Sequence, residues 1–136
     1  LEELEIGFFS PVPNRDLERQ LLNTPIITYV TFPNLHWFTF WGVSAYLEAL
    51  LPHMTTPLLE RLDIHFFNQL SFFVPHLLQF ATTTGNPGYS NAEIIFYHRA
   101  VYVWLFSPVA GPVYFAVEVT CGHLDWQVSS MAQIFN

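Results

Sequence analysis

Three stretches of the chain alternate apolar and polar residues in the same way: Leu1-x-x-Leu4-x-Ile6, Leu35-x-x-Phe38-x-Phe40 and Leu59-x-x-Leu62-x-Ile64. A period of two puts alternate side chains on one side of a β-strand, so Leu4 and Ile6, or Leu62 and Ile64, point one way. Glu3, Glu5, Trp37, Thr39, Trp41, Arg61, Asp63 and His65 then point the other way, toward solvent or a partner. After the second stretch, apolar residues at 43, 46, 47, 50 and 51 fall at helical spacing, and Pro52 stops the run. Val74–Thr83 is a second helical return, with Pro75 suited to a first turn and Leu77, Leu78 and Phe80 apolar. Alternation through Ile94, Phe96, Val101, Val103 and Leu105 predicts two antiparallel strands or one long bent strand over 92–106. Phe115, Val117 and Val119 mark a further strand over Tyr114–Thr120. Asp125 is placed to cap a helix over Trp126–Ile134, with Leu124, Val128, Met131 and Phe135 as its apolar face.

The second and third stretches start 24 residues apart, at Leu35 and Leu59, and continue alike, through Val43 and Leu47 in one and Phe67 and Leu70 in the other. Leucine-rich repeats have such a period: each unit is a short strand with a helical or irregular return, and stacking the units lays the strands in parallel. Leu1 to Leu35 spans 34 residues, too long for one regular unit. The excess falls on Ser10-Pro11-Val12-Pro13-Asn14, a loop signal ahead of a helix over Arg15–Asn23. The expected fold is therefore α/β, a slice of a leucine-rich-repeat-like β/α solenoid. Its repeats are irregular, its parallel strands return through helices or loops, and a β-hairpin lies near 92–106. Residues 1–136 are expected to form a single fragment continuing beyond both ends, since the chain opens on Leu1 and closes on a helix-like run.

Composition sharpens this picture. The chain is 51% hydrophobic and 18% aromatic but only 11% charged, where ordinary soluble domains are about 25% charged. The uncharged window Ala100–Val117 is broken by Pro108, Gly111 and Pro112. Such breakers read as a turn between strands rather than as a membrane span. Ile64–Ala92 carries too many polar residues and turn formers to be a span, and no signal-peptide succession opens the chain. A formal net charge of −7, with four arginines and no lysine, repels phosphate and excludes nucleic acid as the expected partner. The single cysteine, Cys121, excludes an internal disulfide framework and fits a reducing compartment or simply a buried thiol; the expected setting is intracellular, cytoplasmic or nuclear.

The wording of several segments carries a resemblance: Phe32-Pro33-Asn34-Leu35-His36-Trp37-Phe38, Gly42 to Leu50, Thr56 to Leu70, and Leu124-Asp125-Trp126-Gln127-Val128-Ser129-Ser130. Together they resemble the repeat region of the F-box-like proteins of basidiomycete fungi, from about Leu1 to Phe135. The resemblance implies a curved leucine-rich-repeat-like array that recruits a target to a cullin–RING ubiquitin ligase. The F-box helix bundle that would dock the ligase adaptor is not among these 136 residues, and without one the reading reduces to a binding scaffold. No functional residues carry over, because target contacts differ between members.

Catalytic and metal chemistry find little footing. Cys121-x-His123 is the tightest metal-like unit, and a structural zinc site wants four ligands. His65 or His98 would have to approach it across neighbouring strands. A nucleophilic Cys121 would need a base, an orienting group and an oxyanion hole, and no Gly-x-Ser-x-Gly elbow or phosphate-cradling glycine loop is present. No catalytic residue, metal or cofactor is expected. Glu3 and Glu5 form an acidic strip favouring a basic partner. The outward Trp37 and Trp41, and further along Tyr97, Tyr102 and Trp104, are candidate anchors for a protein partner. The expected function is a non-catalytic protein-binding scaffold. A small α/β enzyme using Cys121 or a histidine pair, and a purely structural segment of a longer array, are the alternatives.

Overall fold

Alternating residues become strands where one face can be covered, and here six strands hydrogen-bond into one sheet in the spatial order Glu3–Gly7, Trp37–Gly42, Arg61–Phe66, Tyr114–Thr120, Ala100–Phe106 and Asn91–Phe96. The computed structural model describes residues 1–8, 16, 19–20, 23, 27–83, 88–108 and 114–136. The sheet strands are β1 (Glu3–Gly7), β3 (Trp37–Gly42), β5 (Arg61–Phe66), β6 (Asn91–Phe96), β7 (Ala100–Phe106) and β8 (Tyr114–Thr120). Two short strands, β2 (Val30–Thr31) and β4 (Met54–Thr55), pair separately in parallel. Helices α1 (Ser44–Leu50), α2 (Pro75–Thr83) and α3 (Leu124–Phe135) follow β3, β5 and β8, and a 3-10 turn at Leu51–His53 ends α1 where Pro52 stands.

The fold is α/β with a mostly parallel central sheet. β1, β3, β5 and β8 run parallel, in a register that aligns Leu4 with Phe38, Leu62 and Phe115, and Ile6 with Phe40, Ile64 and Val117. The β3–β5 and β2–β4 pairings both carry the 24-residue offset, Trp37 to Arg61 and Val30 to Met54. The 92–106 region resolves into two antiparallel strands, and β7 in turn runs antiparallel to β8. The chain therefore inserts its last strand, β8, between β5 and the β6–β7 hairpin.

One face of the sheet is dry. Phe38, Phe40, Leu62, Ile64, Phe66, Val101, Val103, Phe115, Val117 and Val119 join Leu47 of α1, Leu77 and Phe80 of α2 and Met131 and Ile134 of α3 in one core. Side chains from neighbouring segments cap α1 and α2. Gln69 Oε1 accepts the Ser44 N–H at the start of α1 (3.0 Å), and the Gln69 amide donates to Ser44 Oγ. Glu48 of α1 accepts the His76 and Leu77 N–H groups at the start of α2 at 3.0 and 2.8 Å. These are the orphan donors of a helix N-terminus.

Three expectations need correction. His123, not Asp125, precedes α3, and no side chain caps it; Asp125 sits in the first turn, where its charge suits the helix dipole. The buried face of α3 is Gln127, Ser130, Met131 and Ile134, while Leu124 and Val128 are exposed. The Gln127 amide decides this rotation: it donates to the carbonyls of Tyr97 (3.0 Å) and Cys121 (2.7 Å), satisfying the backbone between strands. Leu70 is 84% exposed where its expected counterpart after β3, Leu47, is fully buried; Phe72 and Val74 fill that layer instead. Asp16, Arg19, Gln20 and Asn23 are helical; the rest of the Arg15–Asn23 helix, the Ser10–Asn14 loop and the turn at Gly111-Pro112 lie outside the described residues. Among the described residues no helix is long and apolar enough to cross a membrane.

Candidate partner-binding face

The sheet's other face is half exposed, and the pleat puts every outward candidate on it. Register rows run Glu3–Trp37–Arg61–Tyr114, Glu5–Thr39–Asp63–Ala116–Trp104 and Gly7–Trp41–His65–Glu118–Tyr102. All eight expected partner-binding residues thus share one surface. Tyr102 and Trp104 join it, and Tyr97, just past β6, packs edge-on against Tyr102 with ring centroids 5.3 Å apart.

The surface is organised in two linked clusters. In the first, the Arg61 guanidinium lies 5.3 Å from the ring centres of both Trp37 and Tyr114, held between them by cation–π attraction. Asp63 Oδ2 accepts the Trp37 indole N–H at 2.8 Å and the Tyr114 hydroxyl at 3.1 Å, fixing both rings. Burial, and then the Asp63 charge and hydrogen bond, raise the Tyr114 phenol above its ordinary range despite the opposing Arg61 charge.

In the second cluster the His65 ring stacks on Trp41, with centroids 3.8 Å apart and planes 6° from parallel. His65 Nδ1 lies 2.6 Å from Glu118 Oε2, and because a carboxylate only accepts, the imidazole N–H donates. Tyr102 also donates to Glu118. Burial alone would raise the Glu118 carboxyl, but the hydrogen bonds from His65 and Tyr102, with the His65 charge, outweigh it and leave the group below the usual carboxylate range. Burial, followed by the bond and charge of Glu118, pushes Tyr102 up to about 12. Trp104 stacks on Tyr114 at 6.4 Å and joins the clusters to the hairpin. Glu3 and Glu5 are exposed on the edge strand, so the acidic strip flanks the aromatic surface.

Glu118, Tyr114 and Ala116 were absent from the candidates drawn from the first three strands. Alternation across Tyr114–Thr120 already sets them opposite Phe115, Val117 and Val119, but only the sheet order places β8 beside β5. Cys121 is buried, and its thiol donates to the His123 carbonyl at 3.6 Å, not to an imidazole. His65, proposed as a distant companion of Cys121, is engaged by Glu118 and Trp41 instead. Among the described residues no group of three or more His, Cys, Asp or Glu side chains is placed to hold a metal. Comparison with protein-family models, with curated proteins and with solved structures returns no match.

Proposed function

We propose that this chain is a non-catalytic protein-binding scaffold, a slice of a leucine-rich-repeat-like solenoid that receives its partner on the outward sheet face. The observation carrying this reading is the Trp37–Arg61–Tyr114 sandwich tied to Asp63, next to the stacked Trp41 and His65. Tryptophan, tyrosine and arginine dominate interface energetics, and rings already fixed by hydrogen bonds lose little freedom on binding. Parallel strands at a 24-residue offset support the repeat reading. The resemblance to fungal F-box-like proteins supports the finer one, target recognition for a ubiquitin ligase in the cytoplasm or nucleus. The ligase adaptor would be met through an F-box outside residues 1–136.

The test is binding by Trp37→Ser and Trp41→Ser variants. A partner captured by the wild-type chain is purified, and its affinity for wild type and variants is measured by calorimetry. Each variant is expected to keep its circular-dichroism spectrum and to weaken binding by about 10-fold or more, the loss of roughly 1.4 kcal/mol or more typical of an aromatic anchor. Unchanged affinity in both variants would move the partner surface elsewhere and favour the purely structural reading.

A further inference from the structure

The two edges of the sheet are built differently. Strand β1 carries Glu3 and Glu5 on its outward face. If two copies of β1 paired antiparallel about Leu4, each Glu3 would stand opposite a Glu5, and like charges directly opposed are destabilising. Strand β6 has no such guard. Natural edge strands are protected by lysine, proline or inward charges; the chain has no lysine, and Asn91–Phe96 holds no proline and one charge, Glu93. Ile94 is 53% and Phe96 46% exposed, both on the core-side face that the helices leave uncovered there.

The free backbone groups of β6 can be assigned. The Tyr97 N–H donates to the Ala100 carbonyl at 2.8 Å, and hydrogen-bonded residues alternate along an antiparallel pair. With Ile95 opposite Tyr102 and Glu93 opposite Trp104, the odd-numbered residues bond to β7. Ala92, Ile94 and Phe96 therefore turn their N–H and C=O groups to the open edge.

We propose that two copies of the chain pair through β6 across a two-fold axis, antiparallel and centred on Ile94, joining their sheets into one. This register sets Ile94 against Ile94, Ala92 against Phe96 and Glu93 against Ile95, so the small residue faces the large one and no charge meets its like. Beside Ala92, on the core-side face, lies an open groove of about 390 Å³ lined by Ala81, Thr82, Tyr89, Ala92 and Leu105. The pairing delivers the exposed Phe96 ring of the second copy to the lip of that groove. A register centred on Glu93 would oppose the two carboxylates, and one centred on Ile95 would set Phe96 against Ile94, away from Ala92. The pair closes on itself, as two-fold contacts do, and leaves the acidic β1 edges and the aromatic faces outward.

Sedimentation of the chain at tens of micromolar is expected to give twice its 15.7 kDa mass. Ile94→Pro removes a donor only from the open edge, a position where proline is tolerated, and is expected to give a folded monomer. Ile94→Cys should cross-link on mild oxidation, because hydrogen-bonded antiparallel partners sit about 5.5 Å apart at Cα, within disulfide reach. Leu4→Cys on β1 should not. A monomeric wild type, a dimer indifferent to Ile94→Pro, cross-linking through Leu4→Cys, or a ladder of higher oligomers from β1 pairing with β6 would each overturn the proposal.

Discussion

Glu118 shows how one side chain governs its neighbours. Burial alone would raise its carboxyl, but His65 and Tyr102 hold it down, and burial together with the Glu118 bond and charge pushes Tyr102 up to about 12. The linkage signs follow. A carboxyl below its unfolded value stabilises the fold above that unfolded value, and the contribution is lost as pH falls through the folded one. A phenol raised from 10.0 to about 12 stabilises fully below 10 and loses the contribution as pH rises toward 12. Ultraviolet titration should therefore show a late-ionising phenol that disappears in Tyr102→Phe and ionises earlier in Glu118→Gln. The same Glu118→Gln change should flatten the acid limb of the stability profile in urea. A Tyr102 that ionises with the bulk of the tyrosines would contradict the Glu118 bond. At this scale alternation already showed which residues face outward, but not that Arg61 would find Tyr114, 53 positions along the chain.

Between elements, the N-termini of α1 and α2 are tied to neighbouring segments. Glu48 accepts two backbone N–H groups of α2 and the His76 imidazole at 2.9 Å, with its side chain only 13% exposed. Glu48→Ala leaves the part-buried Leu77 N–H without its acceptor, while water can reach the exposed His76 donors, at a cost of about 1 kcal/mol. The expected result is a lower urea midpoint with an unchanged slope, and Glu48→Gln, which keeps one acceptor, should lose less. An Ala variant with the wild-type midpoint would mean that the three contacts add no net stability. Gly42 is a second such joint: a Cβ there would lie 3.0 Å from the Phe40 ring and 3.3 Å from Phe8 Cβ, so Gly42→Ala should also destabilise. Helices α1 and α2 were legible from apolar spacing and from Pro52 and Pro75. The rotation of α3 was not, because a buried glutamine bonded to two carbonyls outranks a valine in choosing which side faces in.

For the whole molecule, burial is deepest in the middle of the sheet and thins toward β1, where Leu4 and Ile6 are only partly covered. Hydrogen exchange should show amides of β5 and β8 opening only with global unfolding, and those of β1 exchanging ~100-fold faster or more through local fraying. Equal protection across the sheet would show that β1 is as firmly held as the centre. The sequence by itself determined where the six sheet strands lie and which side of each is apolar, because a period of two is a property of short segments, and the 24-residue spacing of Leu35 and Leu59 set β3 parallel to β5 in register; β1 joins that register across a longer, 34-residue offset. Tertiary structure alone decided that β8 enters between β5 and the hairpin, that Phe72 replaces Leu70 in the core, and that Glu118 and Tyr114 complete the aromatic face. Several strands of similar apolarity could each have covered the edge of β5. Only the joint packing of sheet and helices, which no local pattern encodes, selects among them.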